Sequence, residues 1–119
     1  MSGDRTALLV TFIGVGALIY LIAVPLIRRR VKPNGYYGLR VPATFADESV
    51  WYDANEAAGR DLRWVAITCF ALAVIGFVAP LSDEAYGLAM SAALGVTAIA
   101  SAIVGWRRAN RMLRARQPK

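Results

Sequence analysis

Between residues 32 and 61 the chain reads KPNGYYGLRVPATFADESVWYDANEAAGRD, and these are the residue types with the most scope for chemistry. Arg40 offers a planar fork of donors suited to a carboxylate, a phosphate or a set of backbone carbonyls. Asp47, Glu48, Asp53 and Glu56 could supply an acid, a base or oxygen ligands for a divalent ion, and Arg28, Arg29 and Arg30 stand just upstream. Together with Asn34 and Arg40, those arginines would form an anion site for a lipid phosphate. The plainer account is that arginines gather at one membrane interface for topological reasons and that nearby carboxylates offset their charge. The chain has no His, so the commonest general base and metal ligand is missing. Its single cysteine, Cys69, cannot build a disulfide or a CxxC site within one chain. No catalytic set, metal site or cofactor site is recognisable, and none is expected.

The stretch also has a local structural logic. Pro33, Asn34 and Gly35 signal a turn, because proline fixes φ while Asn and Gly tolerate positive φ. Tyr36 and Tyr37 follow at the depth of a membrane surface, Gly38 permits close backbone approach, and Pro42 biases Val41 away from helix. Thr44 with Asp47 three residues on approximates a capping box, so a new helix is expected there, with Asp47 and Glu48 at its positive end. From Phe45 to about Ala58, Val50, Trp51, Ala54, Ala57 and Ala58 fall on one side and Asp53, Glu56 and Arg60 largely on another. That pattern predicts an amphipathic helix on the membrane surface. Trp51 and Asn55 share a face, with Gly59 one turn further, where the helix could bend or pack closely.

What must position this stretch is a set of apolar runs. With 57% hydrophobic residues in 119, the membrane class comes first, and one domain spans 1–119. Residues 7–27 are uncharged and long enough, at about 1.5 Å per residue, to cross a hydrocarbon core of about 30 Å. A secretory signal peptide is excluded by the length of that run and by the arginines that follow it. Further spans are expected at 64–81 and 85–106, joined by Ser82, Asp83 and Glu84 into an antiparallel hairpin, with Pro80 and Asp83 as stop and start signals. The fold class is therefore an all-α membrane protein of three transmembrane helices, with a cytoplasmic amphipathic helix before the second.

Charge orients these spans. Of 14 Lys and Arg residues, one precedes the first span, seven lie between Arg28 and Arg63, none lies in the 82–84 turn and six follow Trp106. The bias puts the N-terminus and the hairpin turn outside, with the central stretch and the tail at 107–119 in the cytoplasm. Trp64, Tyr86 and Trp106 are expected as interfacial aromatics. Ala89, Ala93, Thr97, Ser101 and Gly105 recur at four-residue spacing, a face of small side chains suited to close helix packing, and Thr11, Gly14 and Ala17 form a looser row on the first span. Three spans make a thin bundle, for which a homodimer is a candidate state. The tail is read as a helical continuation with Arg107, Arg108, Arg111 and Arg114 near anionic headgroups, membrane lipids being the expected partner and direct nucleic-acid binding not expected.

The central stretch resembles the motif of the SdpI family of small bacterial membrane proteins, a pattern of approximately N-x-x-x-G-[IL]-R-x-P-x-T, then an acidic residue, V-W, and an A-N or T-H pair before a Gly. Asn34, Gly38, Leu39, Arg40, Pro42, Thr44, Glu48, Val50, Trp51, Ala54, Asn55 and Gly59 carry the match. The resemblance is to the family's shorter, single-module members of three spans rather than to its longer namesake, and Glu56 stands where a basic residue often sits. The resemblance implies residence in the bacterial cytoplasmic membrane and a role like that of the namesake. That protein is an immunity protein which protects a toxin-producing cell and holds a cytoplasmic transcriptional repressor at the membrane.

Three functional classes follow. The first is a non-enzymatic membrane protein whose cytoplasmic motif binds a partner, a repressor or a toxin peptide, giving immunity or signalling. Its site residues are Asn34, Tyr37, Gly38, Arg40, Pro42, Thr44, Glu48, Trp51, Asn55 and Gly59. The second is an enzyme or carrier acting on a lipid phosphate. A transporter ranks last, because the three runs hold no ionisable residue.

Overall fold

The computed structural model describes residues 3–117. It is built from α1 (Gly3–Ile27), a short α2 (Pro42–Ala46), α3 (Glu48–Val78) and α4 (Asp83–Arg116). α1, α3 and α4 are each long and apolar enough to cross a membrane, and they lie side by side in a rod of 61 × 23 × 20 Å. The central helix is α3: α1 packs along it most extensively, α4 next, and α1 and α4 meet only slightly.

Why the helices begin and end where they do is local chemistry. α1 closes in a Schellman motif, with the Arg30 N–H donating to the Pro25 carbonyl at 3.0 Å and the Arg29 N–H to that of Leu26 at 3.1 Å. The residue in the left-handed position is Arg29, at φ 59°, where glycine is usual. α3 starts at Asp47, whose side chain accepts from the Ser49 N–H at 2.8 Å. α4 starts at Ser82, whose Oγ accepts from the Ala85 N–H at 3.0 Å. Thr44 is thus not the cap of the long helix; it sits inside α2, where its Oγ accepts from the Val41 N–H at 3.1 Å.

The expected amphipathic helix is not a separate surface element. Residues 48–58 form the first turns of α3, which continues unbroken past Gly59. At Gly59 α1 occupies the place a side chain would take: a Cβ there would come within 2.9 Å of Ile27 and 3.0 Å of the Ala23 carbonyl and Leu26. The apolar face of Val50, Trp51 and Ala54 is buried in protein rather than laid on a lipid surface.

In the spans, Phe12, Cys69, Ala73, Tyr86 and Met90 form one buried cluster. Tyr86 is not an interfacial aromatic: it is 1% exposed, its ring fits over Gly76, and its hydroxyl donates to the Ala73 carbonyl at 2.7 Å. Trp64 and Trp106 are exposed, as interfacial residues would be. Thr11, Gly14 and Ala17 do not form a packing row either. α1 uses Phe12, Gly16, Ala23 and Leu26, the side on which Gly16 admits the Phe70 ring. On α4 the small-residue face turns toward the partners, with Ala93, Thr97 and Ser101 lining grooves against α3 and Gly105 buried against Leu39, while Ala89 is exposed.

Candidate functional site

A second buried cluster lies at the end of the rod where α1 stops. Ala43, Val50, Ala54 and Ala109 are its centre, and Leu39, Val41, Met112 and Leu113 pack around them. The tail through Arg116 thus continues α4 without a break, and its last turns pack on the motif. Into this apolar bed the loop 28–41 is tied by side chains whose donors and acceptors match its backbone.

Asn34 closes the first turn. Its Oδ1 accepts from the Tyr36 and Tyr37 N–H groups at 2.7 Å each, and its Nδ2 donates to the Lys32 carbonyl at 2.7 Å. The turn needs no positive φ at Asn34 or Gly35; among the described residues that conformation falls on Arg29 and Gly38. Tyr37 donates its hydroxyl to the Ile22 carbonyl of α1 at 2.5 Å, and burial pushes its phenol above the ordinary pKa.

Asn55 is the clamp. Only 2% exposed, it accepts the Leu39 N–H at 2.5 Å and donates to the Leu39 carbonyl at 3.4 Å and to the Trp51 carbonyl at 2.9 Å. One side-chain amide thereby pairs both backbone groups of Leu39, as a neighbouring strand would. Gly38 makes this approach feasible: its φ is +102°, and a Cβ there would stand 2.6 Å from Asn55 Oδ1. Thr44, 1% exposed, bonds Val41 and donates to the Leu39 carbonyl at 3.0 Å. Trp51 is fully buried, its Nε1–H donating to the Val31 carbonyl at 2.8 Å and its ring 5.5 Å from that of Phe45. Trp51, Asn55 and Gly59 thus share one face, turned toward α1 and the loop. Among the described residues, every buried side-chain polar atom has a partner.

Around the interlock runs a ring of ion pairs. Arg29 reaches Asp53 at 2.7 Å and Glu56 at 3.0 Å and lies 5.5 Å over the Tyr52 ring, its pKa raised chiefly by the bond to Asp53. Arg60 pairs with Glu56 within α3, Arg108 with Asp61 and Arg116 with Asp53, so α3 is joined to α4 and, through Arg29, to the loop that follows α1. Asn34 is spent on the loop, Arg29 on carboxylates, and among the described residues no cluster of three or more His, Cys, Asp or Glu could hold a metal ion.

The outer face is different. Arg40 is exposed and donates to the Gly35 carbonyl at 2.5 Å. Tyr36 is 93% exposed and Phe45 54%. Pro42 takes the first position of α2 and Glu48 the first turn of α3, both exposed.

Sequence reasoning missed Arg5. At the opposite end its guanidinium bonds Asp83 at 3.0 Å and the carbonyls of Phe77 and Ala79 at 3.0 Å each, and that of Leu81 as well, lying 5.6 Å over Tyr86. A signal existed, since the charge bias puts Arg5 and Asp83 on the same side of the membrane. For Arg29 there was none beyond its place in a basic run.

Three spanning helices around an interlocked loop define a multi-pass helical membrane protein. The model of the SdpI/YfhL protein family matches residues 30–106, which takes in the loop, α2, α3 and most of α4. The chain belongs to that family. No curated protein and no solved structure matches it.

Proposed function

We propose that this chain is a non-enzymatic membrane protein whose motif docks a partner on its cytoplasmic side, either a toxin peptide in immunity or a repressor in signalling. The observation that carries the reading is how the motif divides its residues. Asn34, Thr44, Trp51 and Asn55 spend their polar groups inward on the loop, whereas Tyr36, Arg40 and Phe45 stand together in sequence with an exposed outer face. A catalytic centre needs free polar groups in a water-excluding pocket. A docking surface needs a rigid platform with aromatic and Arg anchors outside, the composition favoured at binding hot spots. The resemblance to an immunity protein points the same way.

The test is a strain lacking the protein, challenged with culture medium from its parent. Sensitivity restored to resistance by the wild-type chain but not by Arg40→Ala at equal membrane abundance is the expected result. Equal protection by Arg40→Ala, or no sensitivity on deletion together with no change in location of any repressor, contradicts the proposal. Turnover of a lipid phosphate by the purified chain would favour the enzyme instead.

A further inference from the structure

The last turns of α4 have two faces. One is inward: Ala109, Met112 and Leu113 pack on the motif, and Arg108 and Arg116 are paired with Asp61 and Asp53. The outward face follows residues 96, 99, 103, 107, 110 and 114, steps of three or four that keep one side of a helix. Val96, Ile99 and Ile103 on it are 67%, 64% and 46% exposed. Directly beyond them Trp106, Arg107, Asn110, Arg111 and Arg114 line a shallow basin of about 430 Å³. Among the described residues Arg107, Arg111 and Arg114 have no carboxylate partner, unlike Arg108 and Arg116.

From these features we infer that the basin binds the phosphate of an anionic phospholipid. The acyl chains lie along Val96, Ile99 and Ile103, the Trp106 indole sits at glycerol depth, and Arg107, Arg111 and Arg114 grip the phosphate while Asn110 offers an amide donor. Three features select this occupant over others. An exposed apolar stripe running straight into the basin suits a molecule with both a chain and a charge, and guanidinium forks match phosphate oxygens. The interfacial indole fits a headgroup boundary. A free phosphate would use the arginines but gain nothing from the stripe. Because the reverse side of the same turns carries Ala109 against Val50 and Ala54, a bound lipid would also hold the platform under the motif in place. This inference does not depend on what docks on Arg40.

The experiment is native mass spectrometry of the full chain in neutral detergent with equal amounts of phosphatidylglycerol and phosphatidylcholine. Arginines near a surface attract anionic lipid, so wild type should retain phosphatidylglycerol over phosphatidylcholine by about tenfold or more. R107Q/R111Q/R114Q should lose that preference, R107K/R111K/R114K should keep most of it, and Arg60→Gln should leave it unchanged. Equal retention of the two lipids by wild type, or a preference that survives in the triple glutamine variant, overturns the inference. So does displacement of the lipid by millimolar inorganic phosphate, which would make it a soluble-anion site. Should the triple variant not accumulate, quenching of wild-type fluorescence by phosphatidylglycerol with brominated chains decides. It should exceed quenching by brominated phosphatidylcholine and fall in Trp106→Phe, and equal quenching by the two lipids overturns the inference.

Discussion

Both ends of the rod face the same physical problem and meet it differently. At each end the chain leaves helical geometry close to lipid, where unpaired backbone groups are costly. The turn between α3 and α4 is held chiefly by one side chain, Arg5, which donates to three carbonyls and to Asp83. The loop between α1 and α2 is served by Asn34, Thr44, Trp51 and Asn55 together, each bonding a different part of its backbone. A shared load leaves Arg40 and Tyr36 on the outside of a firmly held backbone. The first arrangement closes a turn, and the second closes a turn while presenting a surface.

The largest expected effect breaks the motif end. Asn55→Ala leaves the Leu39 N–H without its buried acceptor and should destabilise the chain by about 2–4 kcal/mol, read as the unfolding midpoint in detergent. Next, Arg5→Ala frees several carbonyls that lie nearer solvent, for an expected cost of about 1–3 kcal/mol, and Arg5→Lys should recover only part of it because an ammonium lacks the planar fork. If Arg5→Ala proved more damaging than Asn55→Ala, the contrast between the two ends would be reversed.

A smaller pair of effects sharpens the account of Arg29. Arg29→Gly relieves the left-handed backbone while losing exposed ion pairs, so the two contributions of about 1 kcal/mol each should nearly cancel. Arg29→Ala keeps the backbone cost and loses the pairs, and should be the less stable of the two in the same melting assay. The smallest effect concerns pH. The bond from the Ser49 hydroxyl holds Asp47 below its ordinary 3.8, so the folded carboxyl is the stronger acid. Its contribution is present above the unfolded value and lost as pH falls below about 4, a loss that Ser49→Ala should reduce in an acid titration of stability.

Much of this fold was legible because it rests on periodicity. The three apolar runs, the basic clusters and the shared face of Trp51, Asn55 and Gly59 follow from composition and helical spacing. What was not legible depends on distance in space. The unbroken run of α3 past Gly59 requires knowing that α1 packs there, and the burial of Tyr86 requires knowing that Gly76 faces it. Thr44 and Asp47 could each have served as the cap, and only the place of α2 separates their roles. The motif was visible as an anomaly between apolar runs, yet its division into inward clamps and outward anchors needed the hydrogen bonds. Arg40 and Asn55 look equally polar in sequence; one is exposed and the other 2% exposed.

That division is the central claim, and one paired measurement tests it most directly: the unfolding midpoint and the protection of a deletion strain, taken side by side for Arg40→Ala and Asn55→Ala. Arg40→Ala should melt within about 1 kcal/mol of wild type, as expected for an exposed residue, and yet lose protection, whereas Asn55→Ala should lose stability first. An Arg40→Ala chain that unfolds as readily as Asn55→Ala, or one that melts like wild type and protects fully, would contradict the account.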